Sequence, residues 1–506
     1  MKKQYLFLLS LALVFSSCEK NFEVTDSGSL SGSQTTEMAE QDPGFLTSYV
    51  NGFYSWMVTY GGDHDRFGHA SCLYNLDMMG LDIAINGTLN FGAFDINHDY
   101  GQYNWGRPYL FWNTYYTLIK KCNEVIDFFG EEDPENSTLK GYLGQAYALR
   151  AFSYYYLIQI FQDPVTGEGN SAVFNPTAPA VPIVYAVRDA KTEDEKMAHS
   201  GRNTLADLCE HIEFNLAKAL PLLKGYDRGT DKNQVSYEVA QGIAARYYQL
   251  TQQWDKALEA ATAAQNGFDL MDEARLKSGF MEINDSEVMW GFNHNTETST
   301  VYASFFSHLS NDSPGYGGMA IQSVHCIDYS LYSQIPDSDY RKSLFNGAEG
   351  DETAVYGGGK LPYAARKFGY DPNWCQDYIY MRKAEMILIC AEAHARLNDG
   401  SAASCLAELM RQRDPSWNKS TVTLDDVLLQ RRIELWGEGF EYFDLRRNGL
   451  GVDRTYQGSN HLAINQYVFP AHSASWNFQI PIQEMQNNQY ITEEEQNEWI
   501  SGVPAE

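Results

Sequence analysis

The sequence predicts a mostly α-helical protein, a scaffold of tetratricopeptide-like helical hairpins interrupted by long inserted loops. Three observations predict it. Apolar residues recur at helical spacing along several segments, and two pairs of those segments repeat one pattern of small residues. Between them, about 61–107, 162–202 and 281–374 have little helical periodicity and concentrate Gly, Asn, Asp and aromatics.

From the amino terminus, MKKQYLFLLSLALVFSSCEK sets two lysines before an apolar run, Tyr5 to Phe15, then small residues and Cys18. The run is too short to stay across a bilayer, and residues 1–17 read as an export signal. One reading is a plain signal cleaved near Ser17 with Cys18 incidental. The other is a lipoprotein signal in which Cys18 becomes the acylated amino terminus, and a thiol directly after two small residues favours it. Phe15 stands where such signals usually carry Leu, which bears on processing efficiency and not on export. Acyl chains at about 0.8 kcal/mol per buried methylene would anchor the protein without a transmembrane helix. Residues 18–40, rich in Ser, Gly, Thr and acid, read as a flexible tether.

The helical segments follow in order: LFWNTYYTLIKKCNEVIDFF, GYLGQAYALRAFSYYYLIQIF, LADLCEHIEFNLAKALPLL, VAQGIAARYYQL with WDKALEAATAAQ, and MRKAEMILICAEAHARL with AASCLAELMRQR. Ala245, Tyr248, Ala257, Ala261 and Ala264 stand at the same offsets as Ala391, His394, Ala403, Ala407 and Met410. Small residues at those contact positions let paired helices pack closely, as in tetratricopeptide repeats. Near the end, RRIELWGEGFEYFDLRRNG places Ile433, Trp436, Phe440 and Phe443 on a helical stripe, with Glu434, Glu438 and Glu441 beside it. Arg432, Arg446 and Arg447 bracket those acids, so salt-bridging along one helix is expected, not a catalytic carboxylate pair. Gly437 and Gly439 would admit another backbone at a cost in helix propensity.

Composition narrows the function. At 44% hydrophobic, 20% charged and 14% aromatic, with 34 tyrosines and 10 tryptophans, the chain can bury a large core. Its net charge of −29, or −31 once Lys2 and Lys3 are removed with the signal, repels nucleic acid. Without Cys18, seven of the eight cysteines remain, scattered and without a CxxC pair, so the fold does not depend on disulfides. Asp63, His64, Asp65 and His69 could ligate a metal, but a loop this acidic reads as solvated, and no metal or other cofactor is expected.

The loop composition fits sugar recognition, where aromatic faces stack on C–H faces while Asn, Asp and Arg bond hydroxyls. Ordinary loop packing is the competing reading for any single aromatic. A hydrolase on the same scaffold would need two acids across a cleft, and Asp77, Asp82 and Asp95 are the loop carboxylates that offer one. No G-x-S-x-G, H-E-x-x-H or phosphate-cradling loop is present.

QRRIELWGEGFEYFDLRRNG also resembles the ERR-E-x-EG-FDLRR signature of the SusD-like (RagB/SusD) outer-membrane lipoproteins. The resemblance extends through FWNTYYTLIKKCNEVID, ALRAFSYYYLIQIFQDPV with VPIV, SEVMWGF, YMRKAEMILICAEAHARL and FQIPIQEMQNN, so that 41–506 reads as one SusD-like unit. It implies a non-catalytic, lipid-anchored protein at the cell surface of the outer membrane that captures glycan and passes it to a SusC-like TonB-dependent transporter. Peptide capture on the same architecture is the alternative. Glu19, Glu23 and Asp26 behind Cys18 resemble the signal that sends some bacterial lipoproteins to the surface. The resemblance places ligand contacts in the loop before the first long helix, where Asp82, Tyr103, Asn104 and Trp105 have suitable chemistry. The loops after SEVMW contribute Tyr302 and Tyr316, with Trp374 further along. Trp105 leads because YNWGRP is a Gly- and Pro-bounded turn, although a Trp folded over the core fits the same position.

Overall fold

The computed structural model describes residues 44–86, 101–319 and 324–500; the expected signal, Cys18 and the expected tether lie outside them. Helices form the scaffold: α1 (Gly44–Trp56), α2 (His69–Asp77), α3 (Gly106–Asp127), α4 (Ser137–Ile160), α5 (Leu205–Leu223), α6 (Tyr237–Leu250), α7 (Trp254–Ala264), α8 (Lys383–Leu397), α9 (Ala402–Met410), α10 (Leu424–Glu434), α11 (Glu441–Arg447) and α12 (Ile482–Asn487). From α3 to α9 each helix packs on its neighbour in sequence, and α10 returns to pack on α8. The small-residue pattern explains the close approach. Ala245, Ala257, Ala261, Ala264 and Ala391 are fully buried, with Ala403, Ala407 and Met410 nearly so. Asn398 ends α8 in the left-handed conformation at φ 53°, a position that Asn tolerates.

The central helix α4 is enclosed on all sides from Gly141 to Ile160, so it carries apolar and small residues around its whole circumference. Its one buried cation, Arg150, is held by Asp189 (2.9 Å), Asn123 (2.8 Å) and Asn215 (2.6 Å). The strands are short. β1 (Ile83–Asn86) pairs antiparallel with β3 (Val324–Ile327), joining the first loop region to the third. β2 (Val288–Phe292), which begins in the strand-like SEVMW segment, pairs antiparallel with β4 (Tyr378–Arg382), which leads directly into α8. One continuous apolar cluster runs from Leu46 to Ile491. All seven described cysteines are free.

The acidic stretch corrects one expectation. It is two helices, α10 and α11, broken at 435–440, where Gly437 and Gly439 adopt φ 73° and 87°. A Cβ on Gly439 would collide with Leu73, and one on Gly437 with Phe368. The Asp77 carboxylate at the end of α2 accepts from the N–H groups of Gly439 (2.7 Å) and Glu441 (3.2 Å), fixing the break. The glutamates consequently find remote partners instead of neighbours along one helix. Glu434 takes Arg341 (3.1 Å), Arg382 (2.6 Å) and Arg413 (3.0 Å), and Glu438 takes Arg382 (2.8 Å) and Lys367 (2.5 Å). Glu441 accepts from the backbone of Leu81 and Asp82. Burial opposes the charge of Glu434, yet the three guanidiniums hold its carboxyl well below the usual range. Arg447 clasps Glu392 at 2.6 and 2.7 Å, and Arg446 donates to Asn477 and to the backbone carbonyls of Trp476 and Gln162. Arginines, charged throughout and forked, suit such multiple buried contacts.

Candidate functional site

Two loops distant in sequence converge beside the end of α1. The first is a narrow turn in which Tyr60 pairs with Phe67, Gly61 N–H donates to the Arg66 carbonyl at 2.9 Å, and His69 N–H ties the exit to Met57 at 2.7 Å. Gly68, at φ 78°, leaves no room for a Cβ against the Met57 carbonyl, so this reversal needs glycine. The second loop carries Tyr302 and Tyr316, whose rings lie 5.8 Å apart. They meet His64 at the tip of the first loop. The His64 ring lies parallel to Tyr302 at 6.4 Å, its Nδ1 hydrogen-bonds the Tyr316 hydroxyl, and its carbonyl oxygen lies 3.0 Å from His308 Nε2.

Exposure separates the roles. Tyr60 is 46% and Tyr302 49% exposed, whereas Tyr316 at 5% supports the cluster from beneath. Burial raises the Tyr316 phenol above its ordinary range, with Tyr302 and Tyr60 adding to it, so its hydroxyl stays protonated. Trp374 is half-buried, with its ring 5.1 Å from Tyr370. The adjacent Cys375 thiol reaches Ser299 at 3.8 Å, joining this turn to the loop of Tyr302.

The other group of sequence candidates sits at the start of α3. Tyr103, Asn104 and Trp105 are all exposed, Trp105 at 43% as the residue capping the helix. The guanidinium of Arg66, from the His64 turn, packs directly against the adjacent Gly106. Hydrogen bonds pin this loop to residues 479–482. Tyr103 N–H donates to Gln479 (3.0 Å), Gln479 N–H to the Gly101 carbonyl (3.0 Å), and Ile482 N–H to the Tyr103 carbonyl (3.0 Å).

Asp82 does not join them. It is 2% exposed and bonded to Arg432 at 3.0 Å, because β1 carries it under α10. Asp77 is equally buried, and Asp95 lies outside the described residues. The possible metal ligands of the first loop diverge as well. Asp63 pairs with Arg66 at 3.0 Å, while His69 points into the core among Tyr115, Phe152, Tyr156 and Tyr380. Burial there lowers the His69 pKa to about 3. No cluster able to hold a metal ion occurs among the described residues. Sequence reasoning weighed His64 only as a ligand and passed over Tyr60; the paired glycines after Tyr60 were the signal that it flanks a projecting turn.

The chain matches two family models, "SusD family" over residues 373–499 and "Starch-binding associating with outer membrane" over residues 74–249. It is 25% identical over 465 residues to SusD-like protein P2 of Formosa agariphila, covering 80% of this chain and 84% of that protein. Among solved structures, a SusD-like carbohydrate binding protein from Bacteroides vulgatus superposes with a TM-score of 0.74 at 24% identity, over 90% of this chain and 98% of that one. Surface glycan-binding protein A from Bacteroides uniformis superposes with a TM-score of 0.64 at 19% identity, over 90% and 99%. These two likenesses are of fold.

Proposed function

Because the chain belongs to the SusD-like family, we propose that it is an outer-membrane glycan-binding protein, anchored at the cell surface through Cys18 and delivering oligosaccharide to a SusC-like TonB-dependent transporter. The observation that carries this reading is the convergence of exposed aromatics from separate loops. Tyr302 backed by His64 and Tyr316, with Tyr60 beside them and Trp105 and Tyr103 beyond Arg66, offers ring faces to a polar surface. Sugar rings bind such faces through their C–H surfaces, and Asn104 and the Arg66 guanidinium supply hydrogen bonds to hydroxyls.

Binding without turnover is favoured because Asp77 and Asp82, the described carboxylates a hydrolase would call on, are bonded into the scaffold. Among the described residues no helix is long and apolar enough to cross a membrane. Native gel electrophoresis through starch, laminarin, xylan, galactan and mannan tests the function. Retardation by one of them, with no sugar released on incubation, is the expected result. Retention of tryptic peptides with no response to any glycan would replace it with peptide capture.

A further inference from the structure

A groove of about 620 Å³ opens between α3, residues 182–185 and the end of α12, within the size range of small-ligand sites. Trp112 and Tyr116 form its floor as a tilted pair with ring centroids 4.6 Å apart. Tyr490, 40% exposed, stands at the rim beside the exposed amides of Asn487 and Gln489. The walls are fixed before any ligand arrives. The Tyr116 hydroxyl donates to the Pro182 carbonyl at 2.8 Å, Tyr490 N–H to Asn488 Oδ1 at 2.9 Å, and the Asn488 amide to Ser200 and Glu484 at 2.8 Å each. The two charged residues of the lining, Lys196 and Glu484, have opposite signs, and Lys196 is already paired with Glu193 at 2.8 Å. Such a lining selects neither an anion nor a cation. The exposed Tyr490 ring with amide groups beside it, over an aromatic floor, suits an uncharged polyhydroxylated chain.

Its position adds a second argument. Trp105, Tyr109, Trp112 and Tyr116 follow at offsets of four, three and four, which puts them along one side of α3, and Tyr109 is 37% exposed. The helix α12, which leads to the groove rim, starts at Ile482, bonded to the Tyr103 carbonyl. The exposed Tyr109 therefore lies on the same side of α3 between the Trp105 turn and the groove.

We propose that this groove is a second carbohydrate subsite, taking an uncharged stretch of a chain whose other part lies at Trp105 and Tyr302. It rests on the glycan-binding reading. The test uses whichever polysaccharide retards the wild-type protein, together with its di- and trisaccharides, by isothermal titration. Tyr490→Ala with Asn487→Ala, both at exposed positions, should weaken binding of the polysaccharide roughly five- to tenfold and leave di- and trisaccharide affinity unchanged. Gln489→Trp, which crowds the groove mouth, should reproduce the loss. Trp105→Ala should weaken both ligand lengths. Unchanged polysaccharide affinity in both groove variants, or an equal loss for short and long ligands, overturns the second subsite while the function stands. A wild-type protein that none of the glycans retards overturns the function and the subsite together.

Discussion

Replacing Glu434 by Gln should destabilise the protein by about 3–5 kcal/mol, the usual cost of removing one partner from a buried ion network. Four acids, Asp339, Glu287, Glu434 and Glu438, face four bases, Arg341, Arg382, Arg413 and Lys367, so the network is neutral. The three arginines are 1% exposed or less, and Glu434 2%. The substitution leaves one uncompensated buried positive charge. It also turns an N–H2 group toward guanidiniums that can only donate. Unfolding entropy of about 2 cal/mol/K per residue amounts to about 1 kcal/mol/K over residues 44–500, so Tm should fall by about 3–5 °C. Calorimetry beside urea titration measures it, with Lys419→Ala as the control. Its pair with Asp426 is exposed, 49% on the lysine side, and its loss should cost under about 1 kcal/mol. A Glu434→Gln protein melting within a degree of wild type, or one of normal stability that has lost glycan binding, would refute the assignment of this network to the scaffold.

Trp105→Ala and Tyr302→Ala should each weaken glycan binding about tenfold or less with Tm near wild type; unchanged affinity in titration calorimetry would remove that ring from the platform. Burial lifts the Asp77 carboxyl to about 7 against the pull of the Gly439 and Glu441 N–H groups, so its contribution is fully present below the unfolded pKa near 4 and is lost as pH rises through 7. Asp77→Asn should therefore flatten the decline of Tm between pH 5 and 8, and parallel profiles for the two proteins would contradict the shift. Cys18→Ala should leave export intact but release soluble protein and abolish labelling by a fatty-acid analogue; label persisting on the variant would exclude Cys18 as the anchor.

The long helices were legible because each buries one stripe or, in α4, its whole surface, and that requirement writes a period into the sequence. The break between α10 and α11 was not. The charged and apolar spacing runs on past Gly437 and Gly439, and what stops the helix is the Asp77 carboxylate, 362 residues before Gly439. The partners of Glu434 are equally non-local, since Arg341 and Arg382 belong to other parts of the chain. Asp82 looked like a loop residue suited to sugar, but β1 pairing with β3 carries it under Arg432. The sequence offered Tyr302 and Tyr316 as candidates by type. It held no sign that His64 would lie against them, because loop-to-loop contacts leave no periodic trace.

The turn at 101–105, just before α3, has a further consequence through its bonds to Gln479 and Ile482. Those partners lie 376 and 379 positions later in the chain, and Trp499 closes against Gly101 from farther still. Closing so long a loop is entropically costly and must wait until the segment around Gln479 has been synthesised. The hairpins can form in order as the chain is made, while the surface that includes Tyr103 and Trp105 takes shape after them. A chain truncated before Gln479 would thus retain much of the helical array and leave the turn of Tyr103 and Trp105 without the bonds that hold it in place.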